Sequence, residues 1–356
     1  DPAEVQARGG EITDFPSWER VLKELSAQAE ARADWAAAAG YLRMAEFFMV
    51  PDTPECHAVY DRAREIFYTH FAHLFAEKGG PIYREEVPYE GGVLPCWRVL
   101  PDGASKGTIL FHGGNDSLLE EFTDALLYLA QGGYTVLAFE GPGQGAALRK
   151  SGLTFTPEWE KPVGAVLNHY GADNVTIIGV SLGGELCMRA AAMEPRIRRV
   201  VSWSVLPSIY GALMADKPAE IRAKLEHWLD ENNREAILDL YAGLAEREPL
   251  FRWSIQHSNY AYGTSDVYEY LQKARAFTME PVAEQITQDV LLLSAREDLL
   301  VDFGLYKQEI DLLKNTRSLE FAAPGRALNG QAHCNMGNTK YMLDLILNWN
   351  DRMLER

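Results

Sequence analysis

The stretch TIIGVSLGGELCMRAA, residues 176–191, contains the feature that decides the fold. A β-type apolar run at 176–178 leads into GVSLG at 179–183, and a helical pattern follows directly. Small residues on both sides of Ser181 allow a sharp strand-to-helix turn, which lifts the hydroxyl clear of the sheet edge. An ordinary glycine-rich turn is the alternative, but the flanking strand and helix favour a nucleophile elbow.

The composition is that of a globular protein, with 47% hydrophobic and 24% charged residues. A chain of 356 residues can form one large α/β domain with attachments, or two domains. Thirty-four basic residues against 51 acidic ones give a net charge of −17. Because this charge repels phosphate backbones and anionic membranes, neither a nucleic acid nor a membrane is expected as a partner.

The cysteines and the termini bear on the compartment. No apolar stretch approaches the ~20 residues of a membrane span, and the first 30 residues lack the pattern of a signal peptide. The chain begins with Asp1, so a leader removed earlier stays an open alternative. Reduced thiols and a cytoplasmic location are expected, because the cysteines are widely scattered: Cys56, Cys96, Cys187 and Cys334.

Three regions follow from the periodicity. Residues 1–80 have helical spacing and predict an N-terminal helical module, either a lid or dimer surface or plain scaffold. Residues 81–205 and 285–356 alternate strands with helices, which predicts an α/β core with a mostly parallel sheet. Residues 206–284 are helical and too long for an ordinary crossover, which predicts a cap insertion.

The individual elements can also be predicted. In the core, Ser117 and Glu120 have the spacing of a capping box, and Gly132 and Gly133 end the helix that follows. In the predicted cap, one helix begins near 216–218, a second covers 235–246 and a third covers 266–276. A final helix covers 343–354. The predicted strands are 94–100, 108–112, 134–140, 175–180, 200–203, 290–295 and 318–322.

A serine hydroxyl is a weak nucleophile, so Ser181 needs a base and a third group that orients the base. On this architecture the acid follows the serine and the histidine comes last. VLLLSAREDLLV places Asp298 in a loop just beyond a predicted strand. Glu297 and Asp302 are neighbours that could substitute for it, and either could be merely a solvated loop carboxylate.

The base is predicted to be His333, in GQAHCNMGN between the last strand and the last helix. No other histidine follows Asp298 in the sequence. The alternative is an ordinary loop histidine, but the complete order of serine, acid and histidine favours catalysis. The set Ser181, Asp298 and His333 is therefore the strongest signal in the chain.

Backbone amides that stabilise an oxyanion complete such a site. Leu182 N–H, next to the nucleophile, is one predicted donor. FHGGNDS follows the strand at 108–112 and offers the N–H of Gly114 or Asn115 as the other. The alternative for this segment is a tight β-turn.

Three further patterns have competing interpretations. EGPGQG at 140–145 lacks the lysine and Ser/Thr of a phosphate loop, which favours a loop that shapes the site wall. His70 and His73 could bind a metal, but no third ligand is evident, and a helix face is favoured. Cap residues that could line an aromatic pocket, or pack in a core, are Trp253, His257, Tyr260 and Tyr262.

GVSLGG, REDLLV and AHCNMGN, together with a helical N-terminal module and a cap, resemble the α/β-hydrolase superfamily. HGGNDSLLEEF, FEGPGQGAALR and RWSIQHSNYAYG are similar to the branch with dihydroxypseudooxynicotine hydrolase and the fungal polyketide-shortening hydrolases. The resemblance covers nearly the whole chain. It implies an α/β-hydrolase fold with helices on both faces of the sheet, and a triad of Ser181, Asp298 and His333 with Leu182 in the oxyanion hole.

The same resemblance implies carbon-carbon bond cleavage beside a ketone, without a cofactor or metal, in an enzyme that dimerises. Asp289 stands where relatives often have proline, and Ala295 replaces a common glycine, so the loop around Asp298 departs from the family pattern. A cap acid that assists cleavage in one relative has no clear match here.

Three functions stay open at this stage. The first is hydrolysis of a carbon-carbon bond in a small polyketide-like, β-dicarbonyl or hydroxyaryl ketone. The second is ester, thioester or lactone hydrolysis, which needs the same residues. The third is a non-catalytic binding or regulatory protein on a hydrolase scaffold, which the intact catalytic set disfavours.

Overall fold

The structure is a computed structural model that describes residues 2–355. Several of its helices begin at a side chain that caps the first turn. The Asp14 carboxylate accepts a hydrogen bond from Ser17 N (2.8 Å), Thr53 caps the fourth helix, and Asp266 caps the thirteenth. The helices are α1 (Pro2–Arg8), α2 (Phe15–Ala31), α3 (Trp35–Phe47), α4 (Pro54–His70), α5 (Thr123–Gln131), α6 (Gly145–Ser151), α7 (Glu160–Tyr170), α8 (Gly183–Met193), α9 (Ile209–Ala215), α10 (Ala219–Asp230), α11 (Arg234–Arg247), α12 (Pro249–Tyr262), α13 (Val267–Ala274), α14 (Leu305–Leu312) and α15 (Thr339–Leu354).

The strands form a sheet in the order β1-β2-β4-β3-β5-β6-β7-β8. The first two strands are antiparallel, and those from β3 to β8 run parallel, which brings the loops at their carboxyl ends to one edge. The predicted α/β fold with a mostly parallel sheet and helices on both faces is confirmed. The strands are β1 (Ile82–Tyr89), β2 (Gly92–Val99), β3 (Thr108–His112), β4 (Thr135–Phe139), β5 (Val175–Val180), β6 (Ile197–Trp203), β7 (Asp289–Leu293) and β8 (Ser318–Ala322).

The strand that leads to Ser181 lies in the middle of the sheet. Every residue of β5 is buried, and Ile177 pairs with Leu110 on one side and Val200 on the other. A strand covered on both faces and paired on both edges favours a continuous apolar run over an alternating one. The turn at Ser181 is therefore attached to a strand that is covered on both faces and paired on both edges.

All seven predicted strands are present, but β1 was not predicted. In β1, exposed and buried residues mix, with Glu85 and Glu86 in its centre and Pro88 near its end. Proline and charged residues are typical of edge strands, where the period-2 signal is weak. This strand therefore becomes visible only through its pairing with β2.

The described residues form two compact units. One contains the residues up to Pro81 together with Leu240–Tyr260, and the other contains Ile82–Asp239 together with the residues from Ala261 onward. The sequence had grouped 240–260 with the rest of the predicted cap, so the observed division differs there. The roles of lid and cap stay predictions.

The first unit has its own apolar core. Val21, Leu22 and Leu25 from the predicted helical face of α2 are buried, as expected from their spacing. Trp253 from α12 stacks on Phe47 with ring centroids 5.2 Å apart. Aromatic packing of this kind explains why residues 240–260 belong with the N-terminal helices.

Two helices of the predicted cap region, α9 and α12, were not anticipated, whereas α10, α11 and α13 lie close to the predicted positions. The predicted capping box was wrong by one residue. Glu121, not Glu120, accepts the hydrogen bond from Leu118 N (2.7 Å), and the Ser117 hydroxyl accepts from Gly114 N (2.9 Å) instead.

Residues 2–355 can also be described for membrane spans, metal sites and thiols. No helix there has both the length and the apolar character needed to cross a bilayer. No group of three or more His, Cys, Asp or Glu side chains in this part is placed to hold a metal ion, and His70 stacks on Trp35 with centroids 3.7 Å apart. All four cysteines are buried, and none forms a disulfide within the described residues.

Candidate active site

Ser181 lies on a tight turn between β5 and α8. Its φ is 60°, in the left-handed region that non-glycine residues seldom adopt. A Cβ at Gly179 would lie 1.9 Å from Gly183 O, so only glycine fits where the turn closes on itself. The turn has the geometry that the sequence predicted for a nucleophile elbow.

The structure brings the three predicted polar side chains together. Oγ of Ser181 lies 2.8 Å from Nε2 of His333, and Nδ1 of His333 lies 2.7 Å from Oδ2 of Asp298. Asp298 follows β7, and His333 follows β8, so both reach the serine from loops at the same sheet edge. These distances form a continuous hydrogen-bonded chain from carboxylate to hydroxyl.

A buried asparagine that the sequence did not single out holds the histidine loop. Asn335 is fully buried, with φ of 54°, and its Nδ2 donates to Ser294 O (3.1 Å) and Gly330 O (2.6 Å). Its Oδ1 accepts a hydrogen bond from Trp203 Nε1 (3.2 Å). The only sequence signal was a second polar residue in AHCNMGN, and its contacts depend on strands distant in sequence.

The Asp298–His333 pair is electrostatically complementary. Burial opposes the charged form of each, but the contact with His333 and the amides of Leu300 and Val301 hold the pKa of Asp298 below its ordinary value. Burial likewise disfavours the imidazolium, yet the Asp298 carboxylate outweighs it and raises the pKa of His333. The site is therefore arranged to stabilise a positive charge on this imidazole.

The alternative acids contact other groups. Glu297 forms an exposed ion pair with Arg326 (2.6 Å). Oδ1 of Asp302 accepts from Gly304 N (2.7 Å) in the turn before α14. Of the three carboxylates proposed from the sequence, Asp298 is therefore the one hydrogen-bonded to His333.

The predicted oxyanion donors lie beside the elbow. A Cβ built on Gly114 would be 2.7 Å from Ser181 Cβ, so this backbone packs directly against the serine. Gly114 N–H already donates to Ser117 Oγ, whereas in the part of the chain that the structure describes the amides of Leu182 and Asn115 donate no hydrogen bond. Of the two predicted alternatives, the geometry favours Asn115 over Gly114.

The four side chains predicted to line an aromatic pocket are divided between the two compact units. Trp253, His257 and Tyr260 belong to the first compact unit, where Trp253 stacks on His257 at 5.3 Å between centroids. Tyr262 belongs to the second unit and is only 1% exposed, with its ring against Phe155 at 4.9 Å. Tyr262 is thus a core residue, and a pocket role for the other three stays a prediction.

The loop EGPGQG, which was predicted to shape the wall of the site, contains a carboxylate that connects two segments. Glu140 is buried, and its carboxylate accepts from Leu119 N (3.1 Å) and Ala146 N (2.6 Å). It thereby ties the start of α6 to the segment after β3. The sequence missed this contact because it joins two loops through tertiary hydrogen bonds.

Comparison with known proteins identifies the family. The family model described as alpha/beta hydrolase fold matches residues 109–329. Alpha/beta hydrolase psoB from Aspergillus fumigatus is 31% identical over 309 residues, which cover 75% of this chain and 67% of the relative. Hydrolase ORFZ from Pyricularia oryzae is 28% identical over 86% of this chain and 76% of its own length.

Solved structures share the fold. The 2,6-dihydroxy-pseudo-oxynicotine hydrolase superposes with a TM-score of 0.67 and 20% identity, covering 97% of this chain and 89% of the other. AbyA5 gives a TM-score of 0.68 at 18% identity, covering 94% and 85%. The resemblance seen in the sequence is confirmed, and the chain belongs to the α/β-hydrolase family.

Proposed function

We propose that this protein is a serine hydrolase that cleaves a carbon-carbon bond next to a ketone, with Ser181, His333 and Asp298 as its catalytic triad. The observation that carries the proposal is the hydrogen-bonded chain of these three side chains, with contacts of 2.8 and 2.7 Å. The resemblance to the branch of ketone-cleaving hydrolases supports the choice of bond, and the substrate class is a small polyketide-like, β-dicarbonyl or hydroxyaryl ketone.

In the first step Ser181 Oγ attacks the carbonyl carbon while its proton passes to Nε2 of His333. Asp298 accepts the hydrogen bond from Nδ1, which sets the tautomer and stabilises the imidazolium. The carbonyl oxygen becomes an oxyanion that the amides of Leu182 and Asn115 stabilise. No group other than these is needed for the charge balance of this step.

Collapse of the tetrahedral intermediate breaks the carbon-carbon bond. The electron pair leaves on carbon, and His333 delivers its proton there, so the leaving group must be stabilised by resonance. A β-carbonyl or a hydroxyaryl group supplies that resonance. Water then attacks the acyl-enzyme with His333 as base, which releases a carboxylic acid and restores the serine.

A fluorophosphonate probe tests the nucleophile. We expect stoichiometric labelling of the wild type and at least ~10³-fold slower labelling of Ser181→Ala, because the variant lacks the hydroxyl that contacts His333. Ser265→Ala is the control, since that exposed serine only donates to Glu269 (2.6 Å). A wild type that stays unlabelled where another hydrolase reacts would show a non-catalytic protein.

The bond type is tested separately with an aryl 1,3-diketone and a short-chain aryl ester in ¹⁸O-water. Carbon-carbon hydrolysis predicts an acid carrying one ¹⁸O atom and a methyl ketone from the diketone. Turnover of the ester alone would reject the carbon-carbon proposal and retain the serine hydrolase.

A further inference from the structure

The segment after β3 is held by a buried glutamine that contacts two successive carbonyls. Gln144 is 1% exposed, and its Nε2 donates to Gly113 O and to Gly114 O, at 2.8 Å each. Its Oε1 accepts from Gly141 N (2.9 Å), which fixes the orientation of the amide. The side-chain oxygen is therefore fixed within its own loop, and the side-chain nitrogen connects that loop to the segment after β3.

The two carbonyls determine where the neighbouring amides point. In a trans peptide the C=O and the N–H point in opposite directions, and no cis peptide occurs in the described residues. The peptide that carries Gly114 O also carries Asn115 N–H. Because Gln144 holds the oxygen on one side, the N–H is directed to the other, while Gly114 itself packs against Ser181.

We infer that Gln144 is a positioning residue that orients the Gly114–Asn115 peptide, so that Asn115 N–H serves as the second oxyanion donor for Ser181. The inference rests on the proposed function and adds a residue to its machinery. Gln144 does not touch the substrate; it acts through the peptide it holds. An oxyanion donor fixed before the reaction needs no reorganisation in the transition state.

His112 supports the preceding peptide, which carries Gly113 O and Gly114 N–H. Trp159 Nε1–H donates to Nε2 of His112 (3.3 Å), so the ring hydrogen is on Nδ1 and donates to Gly113 O (3.1 Å). Gly113 O thus accepts two hydrogen bonds, while Gly114 N–H is engaged by Ser117. This pattern leaves Asn115 N–H as the amide of the segment that can face the reacting carbonyl.

The test replaces Gln144 with Glu, which keeps the shape but loses both donors, and with Met, which has a similar length and no charge. We expect the second-order rate of fluorophosphonate labelling to fall about 10- to 100-fold in both, since a misplaced donor forfeits much of its effect. We also expect the inhibition constant of an aryl trifluoromethyl ketone, whose adduct bears an oxyanion, to rise by a similar factor. The parent methyl ketone, which forms no adduct, should bind within about twofold of the wild type.

Gln288 offers a matched control. Its Nε2 also donates to two backbone carbonyls, Ala191 O (2.7 Å) and Ile197 O (3.3 Å), and its Oε1 accepts from Thr287 N (2.8 Å). It shares the hydrogen bonding of Gln144 without contact to the segment beside Ser181. Gln288→Glu and Gln288→Met should leave labelling and the ratio of the two inhibition constants unchanged.

The possible outcomes are distinct. Folded Gln144 variants that label at the wild-type rate overturn this inference and leave the proposed function intact. If the labelling rate falls equally in the Gln144 and Gln288 variants, in proportion to the fall in their melting temperatures, both residues have a structural role. That result also overturns the inference. A wild type that does not label at all rejects the proposed function and this inference together.

Discussion

Buried carboxyl groups occur in two regions of this molecule with opposite electrostatics. The Asp298 side chain is 4% exposed, and its contacts with His333 and two backbone amides hold its pKa below the ordinary value against the effect of burial. Glu185 on α8 and Glu309 on α14 are 1% exposed, and burial raises the pKa of each to about 8.

Hydrogen-bond donors explain the difference in pKa between these carboxyl groups. One carboxyl oxygen of Glu185 has no hydrogen-bond partner within residues 2–355, and the backbone of Leu206 only partly offsets the burial of Glu309. Asp298, in contrast, accepts from His333, Leu300 and Val301. Burial alone therefore does not decide whether a carboxyl is charged; donors aimed at it do. In the candidate site hydrogen-bond donors therefore stabilise the charged carboxylate, whereas burial favours the neutral form of Glu185 and Glu309.

The largest effect is expected from removing the charge at Asp298. Asp298→Asn should lower kcat about 10³- to 10⁴-fold, because an amide favours the wrong tautomer of His333 and cannot stabilise the imidazolium. The pKa of His333 should fall as well, which NMR titration of the imidazole measures. Asp302→Asn, a loop neighbour with no contact to His333, should retain activity; equal losses in both variants would assign the effect to loop structure.

A smaller effect, on stability, is expected at Glu309. Its pKa is about 8 when folded and near 4.5 when unfolded, so between these values the unfolded state binds fewer protons. Stability therefore falls as pH rises from about 4.5 to 8. Glu309→Gln should match the wild type near pH 5 and exceed its free energy of unfolding by about 2 kcal/mol at pH 9, as measured by urea unfolding.

Asp311→Asn, on an exposed position of the same helix, is the control for that measurement. It should show no gain that depends on pH. If Glu309→Gln has the same pH dependence as the wild type, the carboxyl is charged when folded and the contrast with Asp298 fails.

The smallest effect is expected at Glu297. This exposed carboxylate adjoins Asp298 in sequence but pairs with Arg326. Glu297→Gln should change kcat by less than about twofold, because an exposed ion pair contributes little. A loss comparable to that of Asp298→Asn would show that the hydrogen bond from His333 does not identify the acid.

The sequence predicted the parts of this fold whose signals are local. The buried strands have continuous apolar runs, and the turn at Ser181 needs small residues at 179 and 183, so both are visible in the chain itself. The order of Ser181, Asp298 and His333 follows from the architecture once the strands are placed.

The remainder depends on contacts between distant segments. β1 lacks a clear pattern because it lies at an edge, and α12 has aromatic residues that pack on the N-terminal helices. The roles of Gln144 and Asn335 arise from hydrogen bonds to backbone groups of other loops. In the sequence, a glutamine or asparagine that makes such a contact looks the same as one at an exposed loop position.

The burial of His112 has a consequence for kinetic measurements. Burial lowers the pKa of His112 to about 4, so this ring stays neutral under mildly acidic assay conditions. His112, which contacts the segment at 113–115, therefore does not change its protonation state under these conditions. Protonation of this second histidine therefore makes no contribution to an acid limb of a pH–rate profile above pH 5.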